Sequence, residues 1–256
     1  MTPANITQQI DFSSDPIWIN VHKPAGYSSA KVVAIVKRFT KAKKVGHGGT
    51  LDPFAVGVLP VAVNRATKSS QKMMDCQKKY CFKITWGEFR DSDDIDGKVT
   101  QTCKKRPTSR DVINVLPYFI GKIKQEPSRF SAIKVNGKRA YKLARQNVMF
   151  SLGFRDVEIF SLKILECNEN FGQFEVECSK GTYVRSLARD ICKKMGMCGY
   201  TSELMRQGVG SFLVDNAIFL DQLKIKLHYK QSFLDGSLIS CGEDPLDSQE
   251  CGWSKK

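Results

Sequence analysis

A chain of 256 residues, 41% hydrophobic and 26% charged, has the composition of a globular protein able to bury a sizeable core. No apolar run approaches the roughly 18 residues of a membrane helix, and the polar residues 1–15 resemble neither a secretory signal nor a transit peptide, so a cytoplasmic location is expected. Forty Lys and Arg against 26 Asp and Glu give a formal charge of +14, a surface field that attracts polyanions.

The positive excess lies wholly before Ser211, with clusters at Lys37, Arg38, Lys41, Lys43 and Lys44 and at Lys134, Lys138, Arg139, Lys142 and Arg145. The nine cysteines include no C-x-x-C pair, and Cys81, Cys167, Cys178 and Cys192 sit in apolar-patterned segments. They are read as reduced thiols, with neither disulfides nor a structural zinc site.

Alternation at residues 17–22 predicts a strand, broken by Lys23-Pro24-Ala25-Gly26. Ser28 or Ser29 caps a helix carrying Val32, Val33, Ile35, Val36 and Phe39 at helical spacing. A glycine-rich loop over 45–52 follows, then a buried strand over 56–63, a helix over 66–74 and an alternating strand over 79–86. The acidic stretch 91–97 is a loop, and Thr108 or Ser109 caps a helix through Phe119. Asn136-Gly137 marks a hairpin within 132–140. Strands over 155–167 and 173–179 and an amphipathic helix over 182–195 complete the pattern; the polar stretch from Asp235 reads as a loose tail. Strands and helices mix without regular β-α-β alternation, which predicts an α+β fold with a mixed, mostly antiparallel sheet flanked by helices.

The most distinctive segment is Gly46-His47-Gly48-Gly49-Thr50-Leu51-Asp52-Pro53. A phosphate cradle would need Gly-Lys-Ser/Thr after its glycines, and none is present. What remains is a carboxylate, Asp52, held between a glycine-rich turn and a proline that restricts Asp52 to extended geometry. A reacting carboxylate needs such fixed presentation; an ordinary Asp-Pro turn has the same local pattern. The acidic loop fails the calcium-loop pattern, because Gly97 as its glycine puts Cys103 where a bidentate Glu is needed. A divalent site among Asp91, Asp93, Asp94 and Asp96 stays open as the lesser alternative.

Further motifs stand in order around that loop: His22-Lys23-Pro24 with Gly26 and Ser28-Ser29, Ala66-Thr67-Lys68, Lys79-Tyr80, Gln125-Glu126-Pro127 with Ser131-Ala132-Ile133-Lys134, Tyr141 with Ala144-Arg145, and Ser179-Lys180-Gly181-Thr182-Tyr183-Val184-Arg185. With these in register over residues 17–215, the chain closely resembles the TruB family of bacterial tRNA pseudouridine synthases. The resemblance implies the pseudouridine synthase fold with its active site in a basic cleft, an isomerase that needs no cofactor or metal, and the T-loop uridine at tRNA position 55 as substrate. It assigns Asp52 as the catalytic aspartate, Tyr80 as the tyrosine that stacks on the target base, and Arg185 as the arginine paired with the carboxylate. Asp94 matches an acidic residue near that arginine, and His47 the histidine that holds the T-loop open. Lys23, Lys68 and Leu204 also fall on family active-site positions. Tyr183 is placed with the substrate-binding set, although core packing is the favoured reading of that position.

Departures from the family pattern (His22, Asn64, Ser128, Phe130) touch none of these positions. The expected division is an N-terminal extension over 1–16, a catalytic domain over 17–212 and a short C-terminal segment over 213–256. The RNA-binding PUA domain of many family members is thus expected to be absent or vestigial. Partners would be the T-arm and elbow of tRNA, with no membrane and a monomeric protein. A non-catalytic RNA-binding protein of the same fold is the alternative; it has no need of a carboxylate facing RNA phosphates.

Overall fold

The computed structural model describes residues 11–12, 14–229 and 238–240. β1 (Ile17–Lys23) is buried along almost its whole length and ends at Pro24, which has no N–H to continue a ladder. The Ser28 hydroxyl accepts from the Lys31 N–H and caps α1 (Ser29–Thr40), whose Val32 and Val36 are buried. β2 (Val45–His47) and β3 (Val56–Val63) flank the glycine-rich loop. A 3-10 turn (Asn64–Ser69) leads into α2 (Ser70–Asp75), then β4 (Lys78–Trp86) buries every second residue. β5 (Glu88–Arg90) and β6 (Val99–Thr102) form a hairpin around the acidic turn.

A capping box between Thr108 and Asp111 starts α3 (Ser109–Val115), which tightens to 3-10 geometry over Leu116–Phe119 before β7 (Gly121–Gln125). β8 (Lys134–Val135) and β9 (Lys138–Arg139) are joined by Asn136 and Gly137, both at positive φ, the turn an Asn-Gly pair favours. α4 (Ala140–Arg145), β10 (Arg155–Cys167), β11 (Phe171–Cys178), α5 (Val184–Lys194) and β12 (Gly199–Val209) follow. The chain continues through β13 (Phe212–Leu213), β14 (Ile218–Phe219), α6 (Leu220–Tyr229) and β15 (Leu238–Ser240).

Two compact units emerge. The first draws on Met1–Pro53, Gly57–Met74 and Val209–Lys256. In it β1 pairs antiparallel with β3 on one edge, and with β14 (parallel) and β15 (antiparallel) on the other; β2 pairs antiparallel with β3. Alternate residues Ile17, Ile19 and Val21 of β1 and Leu59, Val61 and Val63 of β3 join Val32 and Val36 of α1 and Leu223 of α6 in one core cluster. The second unit draws on Phe54–Val56 and Asp75–Gly208, with strand order β12-β4-β11-β10-β7. Phe82 and Phe174 sit opposite each other on β4 and β11 and stack at 5.2 Å. The α+β class with mixed, mostly antiparallel pairing is therefore the one adopted.

Several expectations need correction. Residues 45–47, expected as loop, form β2, because β3 offers an edge that Val45 and its neighbours can pair with. The helix expected over 66–74 is a 3-10 turn followed by the short α2. The tail expected to be loose from Asp235 contributes β15 against Ile17, Trp18 and Ile19; the rest of it, residues 235–237 and 241–256, lies outside the described residues. Among the described residues no helix is long and apolar enough to cross a membrane. Cys76, Cys81, Cys103, Cys167, Cys178, Cys192 and Cys198 are free thiols, and burial pushes that of Cys178 up to about 12.

Candidate active site

Asp52 is half-buried, and the chain on both sides of it is tied down. On the preceding side, the Ser29 hydroxyl accepts from Leu51 N–H at 2.9 Å and lies 3.0 Å from the Leu51 carbonyl, to which it donates. On the following side, the Pro53 carbonyl accepts from Gly26 N–H at 2.9 Å and from Lys23 Nζ at 3.1 Å. Lys23 is fully buried, and its ammonium also donates to the carbonyls of Pro24 and Tyr27, both at 2.8 Å. An ammonium buried among carbonyls is costly to move, so β1 and the loop are stapled together at the residue next to Asp52.

The glycines have distinct tasks. Gly48 donates to the Pro60 carbonyl at 2.8 Å, and a Cβ on it would lie 2.2 Å from Met73 Cγ and 3.3 Å from the Trp18 ring. Gly49 has a φ of 131°, a backbone shape that side chains resist. Its N–H donates to His47 Nδ1 at 3.3 Å, which selects the imidazole tautomer with the proton on Nε2. Gly48→Ala should cost about 1–3 kcal/mol through overpacking, read as a fall in Tm of roughly 2–4 °C per kcal/mol. An unchanged thermal melt by circular dichroism would show that the loop is not sterically locked.

Lys68 lies apart from this clamp. With Ser14, Lys43, Lys44, Asn64, Arg65 and Thr67 it lines an open cavity of about 400 Å³. Lys43, Lys44, Arg65 and Lys68 are exposed, and no ion pair engages any of them among the described residues. Four convergent cations without a counter-ion make an anion-attracting rim.

In the second unit Arg185, on the first turn of α5, is 3% exposed and donates to Asp94 Oδ2 and to the Ser92 carbonyl, each at 3.0 Å, and to the Phe130 carbonyl at 3.3 Å. The Ser92 hydroxyl donates to the other Asp94 oxygen, Oδ1. Tyr183 is the N-cap of α5, half-buried, and its N–H donates to Gln125 Oε1 at 2.8 Å. Tyr80 lies mid-β4 opposite Val176, with 8% of its surface open, and Leu204 is buried on β12. The structure thus joins Arg185 with Asp94, and Lys23 with the Asp52 loop.

Two polar residues to which sequence reasoning gave no role complete the Arg185 surroundings. Arg189, one helical turn on, pairs with Asp93 at 3.1 Å and donates to the Glu126 carbonyl at 2.8 Å. Gln125, buried at the end of β7, holds the N-cap of α5. The acidic turn carboxylates face arginines and backbone amides: Asp93 and Asp94 as described, Asp91 at the N–H of Lys98 and Asp94 also at that of Asp96. That arrangement leaves the acidic turn poorly suited to gather around a divalent cation. The i, i+4 spacing of Arg185 and Arg189 opposite consecutive Asp93 and Asp94 was the available signal.

The fold finds close structural counterparts. A chain of a Cbf5-Nop10-Gar1 complex matches with a TM-score of 0.68 at 26% identity, covering 93% of this chain and 62% of that one. A chain of an H/ACA RNP bound to a substrate RNA containing 2'-deoxyuridine matches with a TM-score of 0.65 at 26% identity over 85% of this chain and 55% of that one. The architecture is that of the pseudouridine synthase class. Residues 37–184 match the family model described as TruB family pseudouridylate synthase (N terminal domain), a span that holds His47, Asp52, Lys68, Tyr80, Asp94 and Tyr183 and stops one residue before Arg185. The tRNA pseudouridine synthase B of Ehrlichia chaffeensis is 47% identical over 81% of this chain and 71% of its own length. Those of Bradyrhizobium diazoefficiens (47%, over 81% and 60%) and Bartonella bacilliformis (42%, over 87% and 74%) are similar. The chain belongs to the TruB family of pseudouridylate synthases. It spans between about half and three quarters of the length of the relatives and solved chains described above.

Proposed function

We propose that this chain is a cytoplasmic, monomeric tRNA pseudouridine synthase acting on the T-loop uridine at position 55. The N1–C1′ glycosidic bond breaks, the uracil turns, C5 bonds to C1′, and the C5 proton leaves as N1 regains one. Atoms and electrons balance within the nucleotide, so the isomerisation calls for no redox partner and no cofactor.

The observation that carries the reading is the double clamp on Asp52, from Ser29 on one side and Lys23 with Gly26 on the other, in a chain of this family. A carboxylate that reacts with the sugar or base, or takes a sugar proton, gains most from being held in a near-attack position. Arg185 is assigned to keep that carboxylate ionised and oriented. Tyr80 is assigned to stack on the flipped base, offsetting part of the few kcal/mol that flipping costs, and to receive the C5 proton. His47 is assigned to the opened T-loop, with Tyr183 and Leu204 lining the substrate. The T-arm and elbow of tRNA are the partner, and the cations at Lys43, Lys44, Arg65 and Lys68 are assigned to its phosphates.

Two experiments test this. Carbodiimide-primer-extension mapping of a reacted tRNA transcript should give a new stop at position 55; a stop elsewhere overturns the substrate assignment. Lys43→Glu with Lys44→Glu should weaken tRNA binding at every T-loop sequence and flatten log K against log salt by about 0.7–0.9 per lost phosphate contact. An unchanged salt slope removes the phosphate role from that rim.

A further inference from the structure

We propose that Asp93 and Arg189 form a positioning pair that fixes the Asp94–Arg185 pair, an inference that rests on the assignment of Arg185 and Asp94 to the active site. Asp93 sits at φ 63°, the left-handed region that a non-glycine residue occupies only at an energetic cost. Such strain persists only where surroundings impose it, and here every polar group of Asp93 is engaged. Its N–H donates to the Arg90 carbonyl at 3.0 Å, its carbonyl accepts from Thr201 N–H at 3.0 Å, and its carboxylate meets Arg189 Nη1 at 3.1 Å. The left-handed residue reverses the turn, and the next carboxylate, Asp94, meets Arg185 at 3.0 Å.

The same two arginines fasten α5 to a third segment. Arg189 donates to the Glu126 carbonyl at 2.8 Å and Arg185 to the Phe130 carbonyl at 3.3 Å, while the Ser128 hydroxyl donates to the Ser92 carbonyl at 3.1 Å. Asp190 turns its carboxylate on Arg189 Nε at 3.0 Å, so the guanidinium is oriented from both ends. The groups that face the Asp93 carboxylate are Arg189, Ser128, Arg185 and Asp190. Burial pushes Asp93 above the ordinary carboxylate range, and Arg189 is the main opposing influence. Removing the pair leaves the Asp94–Arg185 ion pair able to form but lets the strained turn relax, which moves the Arg185 guanidinium through Asp94.

Asp93→Asn tests this cleanly, because asparagine tolerates the left-handed backbone and has the same shape. Release of tritium from C5 of uridine is followed in single turnovers with enzyme in excess, so the rate reports geometry and the amplitude reports the folded fraction. The expected rate falls about 10- to 100-fold, the scale of a small misplacement at a reacting centre, with amplitude and tRNA Kd unchanged. Arg189→Gln should reproduce the loss. Asp93→Asn combined with Asp94→Asn should be no slower than Asp94→Asn alone, since both act on one arginine. An unchanged rate, a loss confined to amplitude, or losses that multiply would overturn the positioning role. Failure of the wild type to release tritium sinks the functional reading itself, a result distinct from any of these.

Discussion

Asp52→Asn should abolish tritium release from C5 of the target uridine while leaving tRNA affinity within about twofold. Loss of a reacting side chain commonly costs on the order of 10⁴ to 10⁶ in kcat. Asparagine preserves the size of the side chain, and the clamps on either side of it are made by the backbone of Leu51 and Pro53. The loop therefore keeps its shape and only the negative charge is lost. Filter binding and single-turnover kinetics on the same preparation separate the two effects. Retention of more than about one per cent of the rate would mean that the carboxylate is not the reacting group.

Arg185→Met should be the most damaging change to stability in the second unit. Arg185 is 3% exposed and satisfies Asp94 together with the carbonyls of Ser92 and Phe130. Truncating one member of a buried pair strands the other charge, at about 3–5 kcal/mol. The denaturation midpoint should fall accordingly, and catalysis should be lost with it. Arg185→Lys keeps the charge without the planar fork, so it should regain part of the stability and little of the rate. Adding Asp94→Leu to Arg185→Met should restore most of the midpoint, because the Asp94 carboxylate is then no longer stranded. If the double variant is as unstable as Arg185→Met, the cost lies in packing and not in the stranded carboxylate.

What the sequence made legible depended on whether the inward face of each element was apolar. β4 alternates strictly, with Tyr80, Phe82, Ile84 and Trp86 inward, and could be recognised at once. β12 hides its pattern, because Thr201, Arg206 and Gly208 are among its buried residues and break the apolar alternation. α6 was missed since Leu223 is its one fully buried anchor among the described side chains. The Asp52 loop stood out because glycine and proline constrain the backbone locally, a signal that needs no tertiary information. Its supports were not legible. Lys23 reads as a surface lysine until β1 and the Pro53 carbonyl meet around its ammonium. Asp93 and Arg189 are far apart in sequence, and each alone reads as a solvated charge. Family motifs pointed to the residues proposed for the chemistry; the long-range hydrogen bonds that tie them down only become visible in three dimensions.

The most direct test of the central claim uses tRNA transcripts labelled with tritium at C5 of uridine, incubated at low salt with wild type and with Asp52→Asn. Release of one equivalent per tRNA by the wild type alone, lost when position 55 is cytidine, is the predicted result. Tight tRNA binding with no release by the wild type would contradict it and leave an RNA-binding protein on an enzyme's fold.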